Sequence, residues 1–372
     1  MRLLDRYLLR ELLMPLGFCL GGFLVFWAAF DLLAHLSEYR EAKMTLGDMG
    51  QYYLLTAPSI LAYLLPIGLL LALLYALTQH AKHHELTAMR AAGISMWRLA
   101  TPYLAVGFSL SLAMFAINEV VAPPAAAWAE ELKTRRNTGS EEGSKVVRNM
   151  GFSNSRERRR WQIGTYDLEK NTMTKVQVAY PMGDGTLAWL FAESGRYESG
   201  SWTFEGVKIL QQIAPDDTTL YTAIETNQLV RRDFTEPPEA IRSELKISGS
   251  IGLRRVKEAD IPLQALWDYL RFHPNLSGQN HAWFFTKFHG RMAAPWTCLV
   301  VVLIAVPFGA PSGRRNVFVG VAGSIFICFA YFVLMQVGLA MGSGGWMPPW
   351  LAAWLPNLFF TLLGAFLINR VR

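Results

Sequence analysis

The sequence predicts an α+β membrane protein: six transmembrane helices arranged three and three, with a β-jellyroll-like domain inserted between the halves. Three observations predict it. The 372-residue chain is 52% hydrophobic and 17% charged. Its apolar residues gather into six runs, each long enough to cross a hydrocarbon core of ~30 Å as a helix of ~20 residues. Between the third and fourth runs the texture changes to short alternating segments separated by turn residues.

In chain order, the opening MRLLDRYLLRELL sets Leu3, Leu4, Tyr7, Leu8 and Leu12 on one face, with Arg2, Asp5, Arg6 and Arg10 elsewhere. That is an amphipathic entry suited to a membrane interface. The spans are expected at Leu12–Leu33, Tyr53–Leu77, Met96–Val121, Met292–Ala310, Val317–Met341 and Trp350–Ile368. The first run is too long for the apolar core of a cleavable leader. Gly17 and Gly21 in the first span, and Gly320, Gly323 and Ser324 in the fifth, are small-residue faces that admit another helix closely. That helix is either one of the chain's own or a partner's. Asp31 and His35, at the end of the first span, are expected in a hydrogen-bonded structural role. Pro58 and Pro66 are apt to bend the second span.

Beyond the third span, Asn118, Glu119 and the pair Pro123-Pro124 mark the exit into water, and AAAWAEELKTRRN is expected to be helical. The strands expected next are RRWQIGTYD, TKVQVAY, TLAWLFAES, SWTFEGVKIL and TLYTAIETNQLV, with Trp161, Trp189, Phe191, Trp202 and Phe204 as core bulk. Gly183-Asp184-Gly185 and Glu198-Ser199-Gly200-Ser201 supply turns. A helix from Pro262 to about His273 follows. Asn280–Arg291 then continues as helix into the fourth span. The expected domains are 1–122, 123–275 and 276–372.

Lys and Arg set the orientation. With the N-terminus inside, the inner side collects Arg2, Arg6, Arg10, Lys82, Arg90, Arg98, Arg314, Arg315, Arg370 and Arg372, whereas the outer short loops keep Arg40 and Lys43. Both termini are therefore expected in the cytoplasm and the large domain outside. The net charge of +6 is then a topology signal, and no nucleic-acid partner is expected. Cys19, Cys298 and Cys328 all fall inside apolar runs, as packing residues.

The most informative stretch is His80–Arg98, HAKHHELTAMRAAGISMWR, on the first inner loop. It is too short to span a bilayer and too polar to be buried in one. Gly93 supplies a C′ stop and Ser95 a cap for the next helix. Thr87, Ala88, Ala91 and Ala92 are small enough for close approach, and Glu85 and Arg90 project charge. The expectation is a docking helix over 80–93, in which Glu85 bonds a basic residue of a partner. The competing reading has Glu85 paired within its own helix. His80, His83 and His84 are expected to be solvated rather than to hold a metal, because no further acidic or thiolate ligand stands nearby.

Several function classes are excluded by what is missing. There is no GxxxxGK[ST] phosphate loop, GxSxG elbow, HExxH or CxxC pair. The span centres are nearly free of charge, unlike those of ion-coupled transporters. The chain is read as a non-catalytic subunit. Its alternative is a non-transporting membrane scaffold or signalling protein that links an external partner to a cytoplasmic one.

At this point LDRYLLRE, ELTAMRAAGIS, NEVVAP and the 3 + β + 3 layout resemble the LptF/LptG (YjgP/YjgQ) lipopolysaccharide-export permeases. The resemblance implies an ABC exporter in the bacterial inner membrane. In it, two permeases, expected as a heterodimer, pair over a cytoplasmic ATPase dimer, and the periplasmic jelly roll hands lipid to a bridge of similar folds. It implies that Glu85, Leu86, Met89, Arg90, Ala91, Ala92 and Gly93 dock the ATPase. It also implies that this chain binds no cofactor, ATP and Mg being used by the partner. Spans one and five would form a lateral gate through their glycine faces. Arg40, Lys43, Lys287 and Arg291 are the candidate contacts for lipid phosphates, since DLLAHLSEYREAK lacks the basic cluster that some members carry there.

Overall fold

The computed structural model describes residues 3–138, 146–154, 157–168, 170–183, 186–198, 200–214, 217–234, 236–239, 241, 262–272, 278–309 and 317–370. The chain divides into two compact units, Met1–Arg136 with Gly278–Arg372, and Asn137–Ser277.

The helical unit contains α1 (Leu3–Ala34), α2 (Leu36–Glu41), α3 (Leu46–Lys82), α4 (Glu85–Ala91) and α5 (Met96–Ala116). A π-helical turn (Ile117–Val121) then leads into α6 (Ala122–Thr138). Six helical stretches among the described residues are long and apolar enough to cross a membrane: Leu3–Ala34, Leu46–Lys82, Met96–Ala129, Asn280–Phe308, Val321–Ser343 and Pro349–Arg370. Each overlaps one of the six expected runs, the first, second and fourth beginning well before the expected residue.

Local chemistry sets the helix boundaries. Thr45 caps α3 in a reciprocal box: its hydroxyl accepts from the Asp48 N–H, and the Asp48 carboxylate accepts from the Thr45 N–H at 2.8 Å. α4 ends in the expected glycine stop, with Gly93 at φ +82°. The Gly93 N–H donates to Arg90 O and the Ile94 N–H to Met89 O, the paired bonds that satisfy a helix's last carbonyls. Ser95 then accepts from the Arg98 N–H, again as expected. The same pair of bonds closes α2, where the left-handed position falls to Lys43 at φ 51°.

The second helical half comprises α8 (Gly278–Ala293), a 3₁₀ turn (Ala294–Trp296), α9 (Thr297–Gly309), α10 (Val317–Ser343) and α11 (Pro349–Arg370). Pro295 marks the break between α8 and α9. α9 is apolar all round and is accordingly central, with Val300, Val301, Val302, Ile304 and Ala305 each essentially inaccessible. Its neighbours come close because glycines face it. A Cβ at Gly107 of α5 would lie 2.7 Å from Val302, and one at Gly364 of α11 would lie 2.8 Å from the Leu303 carbonyl. α10 and α11 touch where a Cβ at Gly338 would sit 2.5 Å from the Ala352 carbonyl. Within this core Asn357 donates to the Ala293 carbonyl and accepts from Tyr331, whose hydroxyl also meets Thr297. Uncharged side chains thus satisfy one another across three helices.

The second unit carries β1 (Val146–Asn154), β2 (Arg159–Asp167), β3 (Thr172–Pro181), β4 (Leu187–Glu198), β5 (Ser201–Ala214) and β6 (Asp217–Arg231), followed by α7 (Leu263–Phe272). The six strands form one antiparallel sheet in sequential order, a meander among the described strands. Five of them were legible in the sequence; β1, VVRNMGFSN, was not. Alternation sends Trp161, Ile163, Val176, Val178, Leu190, Trp202 and Phe204 to one buried face. Trp189 and Phe191, adjacent to buried Leu190, fall on the other face, where Trp189 meets Tyr221 edge-on. The Gly183 turn extends into residues 184 and 185, outside the described ones, as does Ser199 of the second turn.

The chain after β6 is clasped to this sheet. Buried Glu236 pairs with Arg159 at 2.9 Å and accepts from Asn154, while its backbone carbonyl accepts from the Trp202 indole. The Arg159 guanidinium also lies over the Phe234 ring.

Candidate functional site

The helical unit has two polar ends, one where α1 begins (proximal) and one where α1 finishes (distal). At the proximal end α4 lies in the turn between α3 and α5, a placement its sequence dictates. His84 takes a left-handed conformation at φ 57° to break α3, and Gly93 does the same to break α4. Leu86 points inward and is buried, Met89 packs half-buried against the same core, and Arg90 is half-buried. Thr87, Ala88, Ala91, Ala92 and Gly93 form the exposed face. Of the seven residues expected to dock a partner, Leu86 is therefore an anchor rather than surface.

Glu85 is also committed within the chain. Its carboxylate accepts from the Tyr7 hydroxyl of α1 at 3.0 and 3.1 Å and meets His80 Nδ1, in the last turn of α3, at 2.7 Å. This corrects the competing reading, a pairing within its own helix, because both partners lie on other helices. It also corrects the expectation for His80, which is 1% exposed rather than solvated; His83 and His84 are exposed. Burial acts against the charge on Glu85, but the hydrogen bonds from His80 and Tyr7 outweigh it and hold the carboxyl below its ordinary value. Tyr7, Glu11, Tyr75, Gln79, His80, His83 and Glu85 line a polar cleft of about 350 Å³. Two further ties brace this end. Arg98 of α5 grips both oxygens of Asp5 at 2.7 and 3.0 Å, and the Trp97 indole donates to Asn369 near the end of α11. α4 is thereby fastened to α1 and α3, and α1 and α11 to α5.

At the distal end Asp31 plays the expected structural part, accepting from Tyr39 at 2.7 Å and Tyr53 at 3.3 Å, with His35 alongside. Burial, and then the bond to Asp31, push the Tyr39 hydroxyl's pKa far up, so it stays a neutral donor. Lys133 of α6 pairs with Glu38 of α2 at 2.8 Å.

The candidate phosphate contacts divide in two. Arg40 and Lys43 are exposed. Lys287 is half-buried over the Trp283 ring. Arg291 is committed elsewhere, bonding the Glu119 carboxylate at 3.1 Å and the Asn118 carbonyl at 2.9 Å. The π turn explains this bond. The Ala122 N–H reaches back to Ile117, so Asn118 would next need an N–H from position 123, which is proline and has none. Arg291 supplies the missing donor. It is therefore a brace between the third and fourth spans rather than a free phosphate ligand.

The small-residue faces also separate. Gly17 and Gly21 are exposed, and a Cβ at either would meet nothing within 4 Å. Gly323 instead faces Phe308, and Ser324 is fully buried and donates to Val321 O. Gly323 and Ser324 thus pack within the chain, the first of the two alternatives for that face. Gly320 lies in the first turn of α10.

Sequence reasoning missed Tyr7 and His80. One signal was available: a tyrosine on an otherwise aliphatic face carries a hydroxyl that seeks a hydrogen-bond partner.

Comparison with known proteins agrees with this architecture. The lipopolysaccharide export system permease protein LptG of Escherichia coli strain K12 is 22% identical over 386 aligned positions, covering 99% of this chain and 98% of that protein. LptG of Escherichia coli O6:H1 strain CFT073 gives the same figures. Residues 6–370 match the family described as lipopolysaccharide export system permease LptF/LptG. With six helices among the described residues long and apolar enough to cross a membrane, a β insert in mid-chain and a match over nearly its whole length, the chain belongs to the LptF/LptG family of transport permeases.

Proposed function

We propose that this chain is one permease of an ABC-type exporter that draws lipopolysaccharide from the outer leaflet of the bacterial inner membrane. Both chain ends and α4 lie in the cytoplasm, and the β unit lies in the periplasm. A cytoplasmic ATPase dimer, using ATP and Mg, docks on α4; a second permease of the family completes the cavity as a heterodimer; the β unit passes lipid to a periplasmic bridge protein. A lipid with several acyl chains is retained by ~0.8 kcal/mol per buried CH₂, so its extraction needs an external energy source. This chain has no phosphate loop of its own.

The observation that carries the reading is α4: a short helix between two spans with a smooth exposed face, anchored beneath by Leu86 and Glu85. Thr87, Ala88, Ala91, Ala92 and Gly93 form the docking face, with Met89 and Arg90 at its margin. Glu85 passes movement of that face to α1 through Tyr7 and to α3 through His80. The exposed flank of α1, with Gly17, Phe18, Gly21 and Phe26, then faces the second permease or the incoming lipid. Arg40 and Lys43 remain the candidates for lipid phosphate.

The test is co-purification of the tagged full chain from its native membrane, wild type beside Ala88→Trp and Ala91→Trp, with ATP-dependent lipopolysaccharide release measured on the recovered complex. Recovery of an ABC ATPase that is lost in the tryptophan variants supports the reading. Equal recovery in all three removes α4 as the docking face, and ATPase binding without ATP-dependent lipid release favours the scaffold alternative.

A further inference from the structure

We propose that the proximal end of α1 binds an anionic phospholipid, with Arg6 and Arg10 holding its phosphate and the apolar surface beyond them taking the start of its acyl chains. Arg6 and Arg10 stand four residues apart, so they project from one face of the helix. Both are exposed, and neither pairs with a carboxylate among the described residues. Asp5, the neighbouring acid, is held by Arg98. Together with Leu9, Leu13 and Met14 the two arginines line a shallow cleft of about 450 Å³. Leu13 and Met14 are half or more exposed, and Phe18 is 81% exposed.

The order of chemistry along the helix is that of a phospholipid. Guanidinium groups suited to bidentate phosphate recognition come first, and bare aliphatic surface begins ~4.5 Å deeper, at 1.5 Å of rise per residue. The cleft volume lies within the ~300–1,000 Å³ of small-molecule sites, room for a headgroup and the first methylenes but not for a whole lipid. A protein helix on this face would have to bring carboxylates to the arginines. The same turns of a second copy's α1 offer only Asp5, already ion-paired, and Glu11. An anionic lipid headgroup meets the charge and the apolar surface with one molecule.

The leaflet follows from the orientation proposed above and is the cytoplasmic one. Lipid retention needs neither ATP nor a partner chain, so this inference and the transport reading fail separately. The experiment is native mass spectrometry of the full chain released from nanodiscs containing equal phosphatidylglycerol and phosphatidylethanolamine. The wild type is expected to keep phosphatidylglycerol preferentially. Arg6→Gln with Arg10→Gln should lower that retention roughly 30-fold, at about one surface charge contact per arginine. The Arg6→Lys, Arg10→Lys pair should keep only part of the preference, because lysine supplies the charge without the bidentate geometry, and Lys82→Gln should leave it unchanged. Equal retention of the two lipids, or undiminished phosphatidylglycerol in the double glutamine variant, would overturn the proposal.

Discussion

Replacing Tyr7 by Phe removes a single hydroxyl, and the structure says where its effect should be read. The hydroxyl lies 3.0 and 3.1 Å from the two Glu85 oxygens, and a hydrogen bond to a charged group contributes ~1.5–3 kcal/mol when shielded. Here Tyr7 is 39% exposed and the Glu85 side chain 33% exposed, so water competes and about 1 kcal/mol is the reasonable expectation. That corresponds to roughly a fivefold change in an opening equilibrium. The opening concerned is local, the release of α4 from α1, so the assay is hydrogen exchange at the α4 amides of the solubilised full chain. Tyr7→Phe and Glu85→Gln should each speed exchange, and the double variant should be no faster than the worse single one. The pH dependence follows from the Glu85 carboxyl, whose folded value is depressed. Its contribution is complete above the unfolded value near ~4.3 and is lost as pH falls through the folded value. The carboxylate's share of the coupling should therefore fade in acid, as pH falls below that unfolded value and through the folded one. Additive effects of the two substitutions, or unchanged α4 exchange in Tyr7→Phe, would refute the tie between the helices.

Other substitutions test the remaining assignments. Glu236→Ala leaves buried Arg159 with only the more exposed Glu157, at 3.3 Å, as a carboxylate partner, and should cost the β unit up to ~3 kcal/mol, seen as faster proteolysis or exchange across β1–β3 in the full chain. Gly338→Ala forces a methyl against the Ala352 carbonyl and should lower helical-unit stability by ~1–3 kcal/mol in thermal unfolding. Gly17→Ala meets open space and should be neutral or stabilising by up to ~1 kcal/mol in the isolated chain; any loss would then appear only in partner or lipid capture. Arg291→Gln should loosen the third and fourth spans and expose the Asn118 carbonyl, measured as increased exchange around the π turn. Arg40→Ser with Lys43→Ser should leave stability intact and lower lipopolysaccharide capture.

How much was legible follows from what kind of property each feature is. A membrane span is a statement about one continuous run of residues against a fixed hydrocarbon thickness, so the six runs could be read directly. The stop at Gly93, the cap at Ser95 and the alternation of β2 to β6 are equally local. Their determinants lie within a few residues of one another.

Only the tertiary structure decided the partners. Tyr7 and Glu85 are 78 residues apart in sequence, and Arg291 and Asn118 are 173 apart. No local pattern reports that their helix ends converge. Glu85 and Arg291 look in sequence like charges free to meet a ligand, yet each is engaged by a backbone or side-chain group that would otherwise go unsatisfied. The small-residue motifs divide for the same reason. Gly17 and Ser324 read alike in one dimension, but which side of a helix faces its own chain is set by the packing of α9 and its neighbours.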